Sequence, residues 1–210
     1  YFAQEGVFEF ATREWGPQAL RLMLSSVDCN AISLAVAADT GVKEIKDLKG
    51  KRVGLVVGSA ALNQNAFAVL AFGGLTKQDV TFVEFSSNNA MWKGMLNNET
   101  DAVIGSTVAG QAKEVETSPR GILYPPTPHA DAAGWERIVK IAPYYQRHKA
   151  TCGATIPTTG AELPTYPYPI YMAYAAQSAD LVYGLTKAMI ETYPAYKDGA
   201  PGALGLDVKQ

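Results

Sequence analysis

The segment from Asp47 to Leu75 constrains the fold of this chain more than any other stretch. Residues 53–57 (VGLVV) form a continuous apolar run of strand length, typical of a strand that is buried on both faces. Gly58 allows a tight turn, and Ser59 suits the N-cap of the helix that we predict over residues 61–72. The pattern therefore predicts a strand, a turn and a helix in immediate succession.

A strand that leads into a helix through a Gly-Ser turn can bind an anion. The free backbone N–H groups of the first helical turn and the positive end of the helix dipole meet at one place, which suits a carboxylate or a phosphate. We therefore expect a ligand-binding turn at Gly58, Ser59, Ala60 and Ala61. The same residues would also form an ordinary strand-to-helix connection, and the sequence leaves that alternative open.

Strands and helices alternate along the central part of the chain. Strands are predicted over residues 30–37, 53–57, 81–85 and 101–105, and helices over residues 61–72, 89–97 and 106–115. Alternation with short connections predicts an α/β fold with a parallel, doubly wound sheet. In such sheets, ligands bind beyond the carboxyl ends of the strands.

Small polar residues follow three of these predicted strands. Helix capping by Ser or Thr would explain each group by itself. Their convergence at one edge of a sheet favours a polar pocket instead. The predicted ligand-binding residues are therefore Gly58, Ser59, Ala60, Ala61, Ser86, Ser87, Ser106 and Thr107.

The pattern is weaker in the second half of the chain. Residues 121–168 are rich in proline and are predicted to be loops, with a short strand over residues 138–141. A further strand is predicted over residues 170–176. The clearest amphipathic helix is predicted over residues 181–192, with a core face formed by Leu181, Leu185, Ala188, Met189 and Thr192.

Composition narrows the class of protein. The 210 residues are 48% hydrophobic and 18% charged with a net charge of −2, which is typical of a globular protein. The scattered Lys and Arg residues do not favour nucleic-acid binding, and no apolar run approaches the roughly 20 residues that span a bilayer. Cys29 and Cys152 could pair in an oxidising compartment, but we interpret them as two separate thiols.

The sequence offers little for catalysis. His129 and His148 have no recognisable nucleophile or carboxylate partner, and we interpret both as surface residues. No nucleophile elbow, phosphate-binding loop, dinucleotide fingerprint or zinc-ligand spacing is present. Trp92, on a predicted helix, is interpreted as a core residue. We therefore predict no catalytic residue, no metal site and no cofactor.

Several motifs resemble a known family of receptors. Residues 45–54 (IKDLKGKRVG), followed by Gly58-Ser59, resemble the interdomain strand and anion-binding turn of type II periplasmic solute-binding proteins. Further segments are similar to the TAXI group of tripartite ATP-independent periplasmic (TRAP) transporter receptors: residues 15–18 (WGPQ), 123–126 (LYPP), 134–137 (GWER), 143–145 (PYY), 168–169 (YP), 180–183 (DLVY) and 186–187 (TK). The resemblance covers nearly the whole chain, and its last motifs are the more specific ones.

The resemblance implies a receptor that binds a solute and does not transform it. It implies a periplasmic location, or an extracytoplasmic one with a lipid anchor. It also implies two α/β lobes with parallel or mixed sheets that close on a small carboxylate or amino acid. The closed form would then dock on membrane-embedded transporter subunits. An ABC-type solute-binding protein, and an enzyme or sensor built on the same lobes, are the alternatives.

The resemblance also implies how the chain is divided. Residues 53–165 would form the second lobe, whereas residues 1–52 and 166–210 would form part of an incomplete first lobe. Further β–α units and a removed signal peptide are expected upstream. One departure concerns the turn, where family members usually continue Gly-Ser-Gly-Thr and this chain has Gly58-Ser59-Ala60-Ala61. The missing Thr hydroxyl implies different ligand chemistry there, and the sequence does not indicate which solute is bound.

Overall fold

The computed structural model describes residues 1–12, 14, 16–25 and 29–197. Trp15 of the first TAXI-like motif and the residues after 197 therefore lie outside the described part of the chain. The chain divides into two compact units, of which the larger is Cys29–Tyr166 and the smaller combines Tyr1–Asp28 with Pro167–Gln210. Residues 29–52 belong to the larger unit. The predicted division into lobes, at residues 53–165 and at 1–52 with 166–210, stays a prediction.

Nine strands are present in the described residues. In chain order they are β1 (Leu20–Ser25), β2 (Ile32–Ala37), β3 (Arg52–Val56), β4 (Thr81–Phe85), β5 (Ala102–Ser106), β6 (Ile122–Leu123), β7 (Gln146–Ala150), β8 (Ala161–Thr165) and β9 (Ile170–Tyr174). The predicted strands over residues 30–37, 53–57, 81–85, 101–105 and 170–176 correspond to β2, β3, β4, β5 and β9.

Seven α-helices accompany these strands in the described residues. They are α1 (Phe2–Glu5), α2 (Ala60–Phe72), α3 (Asn88–Leu96), α4 (Gly110–Thr117), α5 (Ala132–Ile141), α6 (Ala179–Glu191) and α7 (Tyr193–Tyr196). Short 3₁₀ helices cover Phe8–Ala11, Ala38–Thr40 and Ile45–Leu48.

The larger unit is built on a five-stranded sheet with the order β4-β3-β5-β2-β6. β3 runs parallel to both β4 and β5, whereas β2 runs antiparallel to β5 and β6. The predicted α/β fold is confirmed. The sheet is mixed, which the resemblance to type II periplasmic binding proteins allowed and which the alternation of strands and helices alone did not indicate. A strand that is buried along its whole length, as β2 is, has the same continuous apolar sequence whichever way its neighbours run.

Two predicted elements differ from the structure. Residues 138–141 form no strand, because they are the last turn of α5, whose first turn Asp131 caps by accepting a hydrogen bond from the Gly134 amide (2.8 Å). Trp135 and Ile138, three positions apart, are the large apolar side chains that α5 buries, which is a helical spacing. The helix predicted from residue 106 begins only at Gly110, since Ser106 still belongs to β5.

The two cysteines form a disulfide between Cys29 and Cys152, so the interpretation as separate thiols is wrong. The bond joins positions 123 residues apart in sequence. Backbone hydrogen bonds accompany it, because the amides of Thr151 and Cys152 both donate to the Cys29 carbonyl (2.8 and 3.3 Å). The sequence could not show this pairing, which depends on a long-range approach of two chain segments.

In the smaller unit, β1 pairs antiparallel with β9. The helix predicted over residues 181–192 is present as α6, but none of its side chains is buried. Leu181 and Leu185, which were predicted to face a core, are 48% and 50% exposed. The described residues of this unit form only a two-stranded sheet, which offers α6 little apolar surface to cover.

An ion-pair network fixes the amino ends of β3 and β5. Arg52 donates to both carboxylate oxygens of Asp101 (3.1 and 2.6 Å), and the Arg52 amide donates to the same group (2.8 Å). Arg120 links Asp39 to this end of the sheet by donating to Asp39 and to the carbonyl of Thr100. Burial alone would raise the pKa of Asp101, but the hydrogen bonds from Arg52 outweigh it and lower that pKa.

Helix α3 lies close to the sheet because glycines face it. Side-chain atoms of Met91 and Trp92, both buried, occupy the space where Gly54 and Gly105 would otherwise carry a Cβ atom. At Gly105 the added Cβ would lie 2.5 Å from the Trp92 ring. The prediction that Trp92 is a core residue is therefore confirmed.

Replacement of Gly105 by Ala should overpack this contact. We expect Gly105→Ala to lower the free energy of unfolding by about 1–3 kcal/mol, because a buried indole ring has no room to move. Gly110→Ala is the matched control, since nothing lies within 4 Å of a Cβ built there, at the start of α4. Urea unfolding of both variants tests this, and equal midpoints for Gly105→Ala and the parent protein would contradict it.

Candidate functional site

The candidate site lies at the edge where β3, β4 and β5 end. Because β3 pairs in parallel with the other two strands, their carboxyl ends meet at the same side of the sheet. The pairing of β3 with β4 continues past the strand, where the Val57 amide donates to the Phe85 carbonyl (2.9 Å). The amino end of the antiparallel β2 reaches this edge as well, since Ile32 is paired with Ser106.

The turn after β3 has the geometry that the sequence predicts. Gly58 has φ +73°, a left-handed conformation that favours glycine. Ser59 is the N-cap of α2, but its side chain makes no capping hydrogen bond. The Asn63 amide donates to the Ser59 carbonyl (3.0 Å) as the first bond of the helix. The amides of Ala60 and Ala61 precede that bond and have no partner within the helix.

Asn63 holds this turn against β3, a role that the sequence analysis missed. Its side-chain carbonyl accepts a hydrogen bond from the Val56 amide, and its side-chain amide donates to the Val56 carbonyl, both at 2.9 Å. The side chain thus pairs with Val56 as a neighbouring strand would. The available signal was an Asn four residues after the predicted N-cap, at the start of a short polar run (Asn63-Gln64-Asn65) in a mainly apolar helix.

The two serines after β4 have different environments. Ser87 caps α3, because its hydroxyl accepts a hydrogen bond from the Ala90 amide (3.2 Å). Ser86 is exposed and directly follows Phe85, the last residue of β4, which is paired with Val56 of β3. Both therefore lie at the predicted edge, where Ser87 already has a structural role.

The pair after β5 is largely engaged within the protein. The Ser106 hydroxyl accepts hydrogen bonds from the Asn30 side chain (2.8 Å) and from the Val108 amide (3.3 Å). Thr107 is 1% exposed, and its hydroxyl donates to the Cys152 carbonyl (3.0 Å) and accepts from the Ala31 amide (3.1 Å). The structure brings Thr107 to the edge, but its hydroxyl stabilises the segment that carries the disulfide.

A cluster of one Asn and three Tyr side chains lies beside this edge and was not among the predicted site residues. The Tyr145 hydroxyl donates to the carbonyl of Ile32, at the start of β2 (3.2 Å), and burial raises the pKa of Tyr145 well above its usual value. Tyr144 donates to the Asn65 side chain (2.6 Å), which in turn donates to the Tyr166 hydroxyl (3.1 Å). The centroids of the three rings lie 5.4–5.5 Å apart, so the cluster connects α2 with the start of β2.

The two histidines lie elsewhere, around the β7–β8 hairpin. His148 belongs to β7, and a ring nitrogen of His129 is 3.2 Å from the His148 carbonyl oxygen. The His129 amide donates to the Glu162 carboxylate (2.8 Å). Within the described ranges, no group of three or more His, Cys, Asp or Glu side chains is placed to hold a metal ion.

The role of Asn63 in holding the turn after β3 can be tested by substitution. Asn63→Ala should leave the Val56 amide without its partner, which costs about 1–3 kcal/mol for a buried polar group. We expect lower stability and faster hydrogen exchange of the Val56 amide. Asn97→Ala removes an exposed Asn whose side chain donates to the exposed Glu99, and it should change stability by less than about 0.5 kcal/mol. Unchanged exchange at Val56 would contradict the assigned role.

The sequence can be assigned to a family by comparison with known proteins. A model of the NMT1-like family matches residues 1–207. The chain belongs to the NMT1-like family. No curated protein matches the sequence.

Solved structures similar to this NMT1-like chain include two ligand-bound binding proteins. An ancestral arginine-binding protein bound to arginine is 17% identical, with 87% of this chain and 62% of that chain covered and a TM-score of 0.44. An ABC transporter/periplasmic binding protein from Brucella ovis with glutathione bound is 10% identical, with 84% and 44% covered and a TM-score of 0.46. The chain thus spans less than two thirds of the length of either, and similarity at this level assigns neither ligand nor site residues.

No helix in the described part of this NMT1-like chain combines the length and the apolar character that crossing a membrane requires.

Proposed function

We propose that this chain is the ligand-binding portion of an extracytoplasmic receptor that captures a small anionic solute, a carboxylate or an amino acid, for a membrane transporter. The observation that carries the proposal is the turn after β3. The left-handed conformation of Gly58 and the two hydrogen bonds between Asn63 and Val56 fix this turn. The first backbone amides of α2 therefore lie at an edge where two further strands end. Hydrogen bonds from such amides to a charged group contribute about 1.5–3 kcal/mol each.

The neutral character of the edge supports reversible capture. The predicted ligand-binding residues are glycine, alanine, serine and threonine, and the neighbouring side chains are Asn30, Asn65 and the three tyrosines of the cluster. Amides and hydroxyls give directional bonds to an anion without an opposite charge that would hold it permanently. In the proposed site, Gly58, Ser59, Ala60 and Ala61 bind the acid group, and Ser86, Ser87, Ser106 and Thr107 lie around it.

The disulfide supports the proposed location. Disulfides such as Cys29–Cys152 persist in oxidising compartments, which include the periplasm and the cell surface. We propose a periplasmic or lipid-anchored extracytoplasmic receptor on this basis and on the resemblance to solute-binding proteins.

The proposed transporter partner is of the TRAP type, because the tyrosine-rich and C-terminal motifs are similar to those of TAXI receptors. An ABC-type partner is the alternative. Solute uptake by cells that carry the complete receptor separates the two, because an ATP-independent transporter continues to work when ATP is depleted and the ion gradient is kept. Loss of uptake on ATP depletion alone would identify the ABC type.

An acidic residue in the turn tests the anion site. Ala61→Asp places a carboxylate in the first turn of α2, where it favours the helix but repels a bound anion. We expect the affinity for the acidic solute that co-purifies with the complete protein, identified by mass spectrometry, to fall at least tenfold. Ala61→Asn, of the same shape but neutral, should stay within about threefold, which corresponds to roughly 0.6 kcal/mol. Equal affinities of the two variants in calorimetry would refute the site.

The alternative, an enzyme on the same scaffold, can be tested through the two histidines. It would need a group that transfers protons or attacks the substrate, and His129 and His148 are the histidines of the chain. We expect His129→Ala and His148→Ala to keep solute affinity within about threefold. The bound solute should also be recovered chemically unaltered after long incubation. Turnover that either substitution abolishes would establish the enzyme instead.

A further inference from the structure

A pocket lies in the larger unit, between α2, the loop that follows it and helix α5. Its volume is about 470 Å³, within the range of small-molecule sites. Phe67, Leu70, Leu75 and Ile141 form its apolar walls. None of the eight predicted ligand-binding residues of the sheet edge lines it. We call it the α2–α5 pocket.

Two cations border the α2–α5 pocket. The ammonium group of Lys77 lies 3.9 Å from the centroid of the Phe67 ring, a cation–π contact. Arg137 donates through Nε to the Ala71 carbonyl and through Nη2 to the Phe72 carbonyl, at the end of α2. These bonds fix the guanidinium group at the pocket wall. Neither Lys77 nor Arg137 forms an ion pair within the part of the chain that the structure describes.

The nearby carboxylate of Asp79 does not neutralise these cations. Its oxygens accept hydrogen bonds from the hydroxyl and the amide of Thr76 (2.7 and 2.8 Å) and form an ion pair with Lys49 (3.2 Å). The Thr76 hydroxyl and amide, together with Lys49, lower the pKa of Asp79 to about 2, so this group stays ionised and engaged. The positive charge at the α2–α5 pocket is thus not compensated by the neighbouring loop.

We propose that the α2–α5 pocket binds a small amphipathic carboxylate, such as a medium-chain fatty acid. The apolar walls would cover the hydrocarbon part, which gains about 25 cal/mol for each Å² removed from water. Lys77 and Arg137 would hold the carboxylate at the rim, where a fixed guanidinium group is a strong partner. A neutral molecule of the same shape would leave both cations unpaired.

Sodium octanoate and octanamide are the matched probes for this proposal. They share the same chain, and only octanoate carries a charge. In calorimetric titration of the protein, we expect octanoate to bind at least tenfold more tightly than octanamide. Equal binding of the two, or no octanoate binding at millimolar concentration, would overturn the proposal.

Reversing the charge of Lys77, which lines the pocket, tests whether octanoate binds there. Lys77→Glu should weaken octanoate binding at least fivefold, because it places a like charge beside the carboxylate. Lys43→Glu is the control, since Lys43 is exposed and does not line the pocket, and it should leave affinity within twofold. An equal loss in both variants would mean a non-specific charge effect and would refute the assigned pocket.

The same titration separates this pocket from the proposed anion site at the sheet edge. Ala61→Asp should leave octanoate affinity within twofold, because Ala61 does not line the α2–α5 pocket. A loss of octanoate binding in Ala61→Asp, with Lys77→Glu unaffected, would place octanoate at the sheet edge and overturn the α2–α5 proposal. Failure of either site therefore leaves the test of the other intact.

Discussion

The parallel pairing of β3 with β4 and β5 is the constraint on which the candidate site depends. Parallel neighbours end at the same side of a sheet, so three strand-to-helix turns come together there, although they lie far apart in the sequence. The antiparallel β2 adds its amino end to the same edge. The ion pair of Arg52 with Asp101 joins the opposite, amino ends of β3 and β5.

The three turns are not equivalent, because polar side chains in two of them already form hydrogen bonds within the protein. Ser87 caps its helix, and Thr107 is buried in hydrogen bonds that support the Cys29–Cys152 segment. The side chain of Ser59, in contrast, makes no capping hydrogen bond, and the Asn63 side chain orders the turn from the β3 side. A turn that is fixed without a capping side chain keeps the first amides of its helix available to a ligand. This is why the turn after β3 carries the functional proposal and the other two support it.

The elements that could be predicted from sequence are those in which local pattern and burial agree. The strand at residues 81–85 has the same bounds in the structure as in the prediction, and α2 and α3 begin within one residue of theirs. The direction of β2 could not be predicted, because an apolar strand carries no mark of its neighbours' orientation. The disulfide, the Asn63 clamp and the tyrosine cluster join residues that only the folded chain brings together. Residues 138–141 were interpreted as a strand because the segment is short and rich in β-branched side chains, although the spacing of Trp135 and Ile138 favours a helix.

The two proposed sites bind negative charge in physically different ways. At the sheet edge, the donors are backbone amides fixed by Gly58 and Asn63, so their orientation is set before any ligand arrives. At the α2–α5 pocket, the charge comes from Lys77 and Arg137 beside apolar walls, and only Arg137 is fixed by hydrogen bonds to the protein. Oriented amides favour an anion at one position, whereas side-chain cations beside a hydrocarbon surface favour a ligand that combines negative charge with apolar area. Because α2 contributes its first turn to one site and its second half to the other, a small shift of this helix against β3 would affect both.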